Sequence, residues 1–396
     1  MRNKPVLLIL PALLLSQAVS GAGAREKAFV KGNISEKIAL MQGLDESERV
    51  PIARRGLDFL IENAAVLGTD EEFRSLALAS VSALPADGGA LRNVMGKERV
   101  IICEKLMTVF RIFDDMRIRA AVMERLQLYS DSGDDMLTSF INDYLAVSYK
   151  AGEPAENVLE SAIVAAGKIG DDDTLSVIYN IWHSGIWPQY QDSTDEALVR
   201  LSAGSFSDTI RIFSVSNISE FGRYFALLKK NLRNSRNSLC DVAENALLIA
   251  INNVEKLAAS DEEKKVFVAF QSDVHEVLAG NRWSHAANVV SDNILLAEKF
   301  HGQGFLDDEA FARMIEVSVN VPSHGLAQNL TDMLAACNGK VENSEMPARS
   351  VVLALIHSLG ELGDKTAFDT LLYVTYLSYP AEVLDEAKLS LAKLNW

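Results

Sequence analysis

The chain has 396 residues, 48% of them hydrophobic and 23% charged, with nine prolines and a formal charge of −16. This mixture excludes a disordered chain, and sparse proline among abundant Ala, Leu, Ser and Glu favours helices over a strand-and-turn protein. The acidity argues against nucleic acid and anionic lipid surfaces as partners, since both repel such a chain at long range.

Arg2 and Lys4 precede an apolar run at residues 6–15, and Ser20, Gly21, Ala22, Gly23 and Ala24 follow it. That order of charge, short apolar block and small residues is the order of a cleaved secretory signal. The run is too short to span a bilayer, which takes about twenty apolar residues. Residues 1–24 are therefore expected to be a signal peptide, cut between Ser20 and Ala24. The mature protein would be periplasmic or secreted, without stable membrane insertion.

Past the leader, apolar residues recur at helical spacing in nearly every stretch between turn signals. Helices are expected over residues 26–42, 47–67, 71–84, 97–112, 115–130, 134–149, 155–169, 172–184 and 194–203. Residues 209–216 alternate weakly and fit either a strand or a short helix. An interruption there would divide an N-terminal helical region, 25–205, from a C-terminal one, 206–396, within one continuous solenoid. The second region is expected to hold helices at 217–232, 238–257, 262–279, 284–300, 307–319, 323–337, 347–362, 366–378 and 381–394.

Two distant segments match. Val158, Leu159, Ala162, Ile163, Ala166 and Ile169 make one apolar stripe, and Val351, Val352, Leu355, Ile356, Leu359 and Leu362 repeat its offsets. The stripes end in Gly167-Lys168-Ile169-Gly170-Asp171 and Gly360-Glu361-Leu362-Gly363-Asp364. Gly170 and Gly363 are expected to close their helices in the left-handed conformation, and Asp171 and Asp364 to cap the helices that follow. Asp195-Glu196-Ala197 and Asp385-Glu386-Ala387 then open a third matching helix.

These junctions resemble HEAT-type repeats, in which a Leu-Gly-x-Leu-Gly-Asp-like turn joins two antiparallel helices. The match is good at 158–203 and 351–394 and covers about a quarter of the chain. Degenerate traces occur at Ala65-Val66-Leu67-Gly68-Thr69 and at residues 115–121. The resemblance implies an all-α fold, an α-α superhelix of stacked helix hairpins with irregular repeats, and a role in binding protein partners.

No catalytic residue, cofactor site or metal site emerges. The six histidines lack metal-ligand spacing, and His357 reads as a packed or rim residue. The acidic groups at Asp114-Asp115, Asp134-Asp135 and Asp171-Asp172-Asp173 stand at helix starts, where capping explains them. Gly204-Ser205-Phe206-Ser207 lacks the closing glycine of a nucleophile elbow, and Gly88-Gly89 lacks the residues of a phosphate loop. Cys103, Cys240 and Cys337 are too few and too scattered for a disulfide framework. Two features could meet a partner: the aromatic cluster Trp182, Trp187 and Tyr190, and the basic run Arg223, Lys229, Lys230 and Arg233. Both have a plainer explanation, as hairpin filling and as a solvated helix face. The function expected is an exported, non-enzymatic, protein-binding scaffold or adaptor. The alternatives are a secreted helical enzyme cleaving glycans with a carboxylate pair, or a structural subunit of an envelope complex.

Overall fold

Side-chain caps fix many of the helix starts. Asn33 accepts a hydrogen bond from the Glu36 backbone N–H at 2.9 Å while the Glu36 carboxylate accepts from the Asn33 backbone. This capping box divides the helix expected at 26–42 into α1 (Gly21–Lys31) and α2 (Ile34–Met41). Boxes at Asp171, Asn217 and Ser260 set three later starts in the same way.

The computed structural model describes residues 21–68, 70–86, 96–129, 135–152, 158–231 and 235–394, so residues 1–20 of the expected leader lie outside the described residues. Among the described residues every regular element is a helix. No helix there is long and apolar enough to cross a membrane.

Contacts divide the chain into two compact units, Met1–Leu198 and Val199–Trp396. The first continues from α2 with α3 (Glu46–Leu67), α4 (Glu71–Ala83), α5 (Gly96–Ile112), α6 (Met116–Tyr129), α7 (Asp135–Ala151), α8 (Val158–Ile169), α9 (Asp172–Ser184) and the start of α10 (Gln191–Ser202). Helices here pack on the next helix but one. One row runs α2 on α4, α4 on α6 and α6 on α8, and beside it α1 packs on α3, α3 on α5 and α7 on α9. Each amphipathic helix thus buries its apolar stripe between hairpin mates and row neighbours, which is the serial layering of a helical-repeat protein.

The second unit holds α11 (Phe206–Val215), α12 (Ile218–Lys230), α13 (Arg236–Asn252), α14 (Val254–Leu257), α15 (Asp261–Gly280), α16 (Ala287–Gly302), α17 (Asp308–Ser318), α18 (His324–Glu342), α19 (Arg349–Leu362), α20 (Phe368–Val374) and α21 (Ala381–Lys393). Its rows are more regular. One follows α12, α15, α17, α19 and α21; the other follows α11, α13, α16, α18 and α20. Aromatic edges lock the first row, with Phe221 and Phe225 meeting Phe270 at 5.3 and 5.9 Å. Ion pairs stitch it on the outside, among them Arg313 with Glu276 at 2.9 Å and Lys393 with Glu361 at 2.7 Å.

The stretch read as strand or short helix is the helix α11, packed on α13. It belongs to the second unit, which begins at Val199. The helix expected at 238–257 stops at Asn252, and Val254–Leu257 forms a separate turn.

The two matched junctions agree in part. Gly363 is left-handed, at φ 66°, and donates its N–H to the Leu359 carbonyl at 3.1 Å. Gly170 lies outside the left-handed region, against expectation. Its need is for space: an added Cβ would stand 2.4 Å from the Ala166 oxygen and 2.5 Å from the Thr174 side chain. The preceding glycines share a role that the motif alone does not reveal. A Cβ on Gly167 would meet the Ala197 Cα at 2.7 Å, and one on Gly360 would meet the Ser390 Cβ at 2.7 Å. Both partners stand thirty positions downstream, on the third helix of the repeated unit. Asp171 caps α9 through the Thr174 N–H at 2.9 Å. Burial opposes ionisation there, but the hydrogen bonds from Thr174 outweigh it and hold Asp171 below the usual carboxylate range. Asp364 accepts from the Thr366 N–H at 3.0 Å and opens a 3-10 turn, Lys365–Ala367, before α20.

Candidate functional site

The aromatic cluster is core, not surface. Gly185, at φ 60°, reverses the chain after α9, and the 3-10 turn Pro188–Tyr190 folds the loop back over the hairpin. Trp182 is 1% exposed, stacks on Tyr179 and donates its indole N–H to Asp195 Oδ1 at 2.9 Å. Trp187 and Tyr190 are also buried, and Trp187 meets the Tyr149 ring edge-on. These three residues fill space between hairpins, so the expectation that they anchor a partner is corrected: none is more than 9% exposed.

The basic run is dispersed. Arg223 and Lys230 are exposed on α12, whereas Lys229 reaches across to form an ion pair with Asp273 of α15. Arg233 lies outside the described residues. His357, read as a packed or rim residue, is exposed on α19 with Nδ1 against Glu386 Oε1 of α21 at 2.9 Å. Among the described residues no group of three or more His, Cys, Asp or Glu side chains is placed to hold a metal ion. Cys103, Cys240 and Cys337 are free thiols.

One polar group lies deep in the second unit. His275 of α15 is fully buried and bonds through Nε2 to the Met314 carbonyl of α17 at 3.0 Å. A carbonyl only accepts, so Nε2 carries the proton, and Nδ1 accepts from the Asn293 amide of α16 at 3.2 Å. Burial depresses the His275 pKa to about 4, outweighing the Met314 bond. The Gln271 amide and the Asn293 Oδ1 beside it are buried without a hydrogen-bonding partner.

One further surface belongs to α16, α18 and α20, which pack in one row. Asp292 and Leu295 of α16, Asp332 and Ala335 of α18, Asp369 and Tyr373 of α20, and Tyr376 in the turn after it are exposed. Between α18 and α20 this face opens into a groove of about 300 Å³, with Ala335, Gly339, Glu342, Asp369 and Tyr373 among its lining residues. Tyr373 donates its hydroxyl to Glu342 across the groove, which raises the tyrosine's pKa. A Cβ on Gly339 would meet nothing within 4 Å, so the groove floor is open. Asn338, 2% exposed beneath it, bonds to Tyr379 and to the Thr370 carbonyl and fixes the two helices together.

Sequence reading missed this face because Glu342 and Tyr373 come from different helices, and no motif marks their pairing. No protein-family model matches the chain, and no curated protein matches it. A solved structure described as a "circular tandem repeat protein with novel repeat topology and enhanced subunit contact surfaces" is similar at 12% identity and a TM-score of 0.20, with 94% of this chain and 86% of that one covered. At that TM-score nothing about this chain follows from it.

Proposed function

We propose that the chain is an exported, non-enzymatic scaffold of the HEAT-repeat kind, which binds protein partners on the exposed face of its stacked helices. The observation that carries this reading is the open groove between α18 and α20 with exposed tyrosines beside it, Tyr373 in its lining and Tyr376 in the turn after α20. Stacked helix hairpins present such faces as an extended binding surface. Tyr373 and Tyr376 are 44% and 76% exposed, and tyrosine is a favoured anchor at protein interfaces. Support for export comes from Arg2, Lys4 and the apolar run after them.

The test is site-specific photocrosslinking in the source cell, with the reactive residue placed at Leu295 or Tyr376 and, as controls, at Val66 or Val215, which are equally apolar and exposed elsewhere. Discrete protein adducts from Leu295 or Tyr376, and none from the controls, are expected. Adducts from the control positions only, or from none, would refute the reading, as would a chain that remains in the cytoplasm with its leader intact.

A further inference from the structure

The groove between α18 and α20 has a chemistry of its own. Its lining carries two carboxylates, Glu342 and Asp369, one exposed tyrosine, and no basic side chain. The nearest lysine in sequence, Lys340, interacts instead with Glu298 of α16 and so faces away from the groove. The floor is Ala335 and Gly339, small residues that leave the cleft open. An acidic cleft walled by an aromatic ring suits one side chain better than any other. A guanidinium is planar, stays charged, stacks on an aromatic face and donates paired hydrogen bonds to a carboxylate. A lysine ammonium could answer the charge but not the ring and the fork at once.

We propose that this groove receives an arginine side chain from an extended segment of the partner protein. The proposal rests on the scaffold reading and names the partner's chemistry. Asp369 and the Glu342 oxygen not engaged by Tyr373 accept from the guanidinium, and the Tyr373 ring covers its face. Asp292 of α16 and Asp332 of α18 are also exposed, so further basic residues in the segment find negative charge on the same row of helices.

The test uses the full mature chain and a fluorescent peptide of alternating arginine and serine, read by anisotropy, beside its lysine and citrulline counterparts. Citrulline keeps the shape and removes the charge. The arginine peptide is expected to bind roughly fivefold or more tightly than the lysine peptide, and the citrulline peptide not to bind. Glu342→Gln and Asp369→Asn should each weaken the arginine peptide roughly tenfold, in line with loss of one charge-assisted pair. Gly339→Leu should abolish binding by filling the cleft while its melting temperature is kept, since leucine is the better helix former. Glu309→Gln, an exposed acid on α17, is the control for unspecific attraction and should change nothing. Equal binding by all variants, tight binding of the citrulline peptide, retention by Gly339→Leu, or no binding to the wild-type chain each overturns the proposal. If crosslinks form at Leu295 and Tyr376 but the peptide fails, the scaffold reading survives and only the arginine is wrong.

Discussion

Mild acid should loosen the second unit, and His275 makes the effect calculable. In the folded chain this imidazole titrates at about 4, against 6.5 for the unperturbed group. Between those values the unfolded chain binds a proton that the folded chain refuses, so stability is complete above pH 6.5 and is lost as the pH falls toward 4. The linkage amounts to about 2 kcal/mol by pH 5 and about 3 kcal/mol once the folded-state pKa is passed. Nothing on the neighbouring helices offers relief: the ring faces the Met314 carbonyl and the Asn293 amide, both neutral. Urea unfolding at pH 7 and pH 5, with amide exchange followed across α15, α16 and α17, measures the loss. His275→Gln lowers stability at every pH but removes the slope, so the difference in slope between wild type and variant is the readout. A wild-type slope that persists unchanged in His275→Gln would refute the assignment of the buried neutral imidazole.

The junction glycines give three further outcomes. Gly363→Val should lower stability by about 1–2 kcal/mol, because a β-branched residue is strained at positive φ; a thermal melt checks it, and an unchanged midpoint counts against the left-handed closure. Gly360→Ala should cost about 1–3 kcal/mol despite its better helix propensity, since the new Cβ would stand 2.9 Å from the Ser390 backbone as well as against its side chain. Ser390→Gly in the same chain should recover part of that loss, which a double-mutant cycle measures. In the first unit, Asp195→Ala removes the acceptor shared by Trp182 and Gln191 and should destabilise by about 1–3 kcal/mol, read by urea unfolding.

The helices were legible because each carries its own stripe and cap. Residues 172–184 were placed to the residue by Asp171, whose cap is local, and by Gly185 after the last turn. What failed to show was anything needing two distant segments. Gly170 and Gly363 look alike in sequence, yet one is required for a close approach and the other for a left-handed bend, a difference set by Thr174 and by the backbone. Trp182, Trp187 and Tyr190 suggested a surface because tryptophan and tyrosine serve both cores and interfaces, and only the folded loop decides which. The groove between α18 and α20 escaped notice for the opposite reason. Its residues are ordinary one at a time, and only the packing of the two helices brings Glu342 to Tyr373.

The alternation of two rows also says how such a chain can grow. Copying residues 284–323 in tandem would insert one more pair of layers, and each new seam would join helix faces of a kind the molecule already brings together. The surface would lengthen by a helix while its chemistry stayed the same, so reach along a partner becomes a matter of counting modules rather than redesigning any one of them.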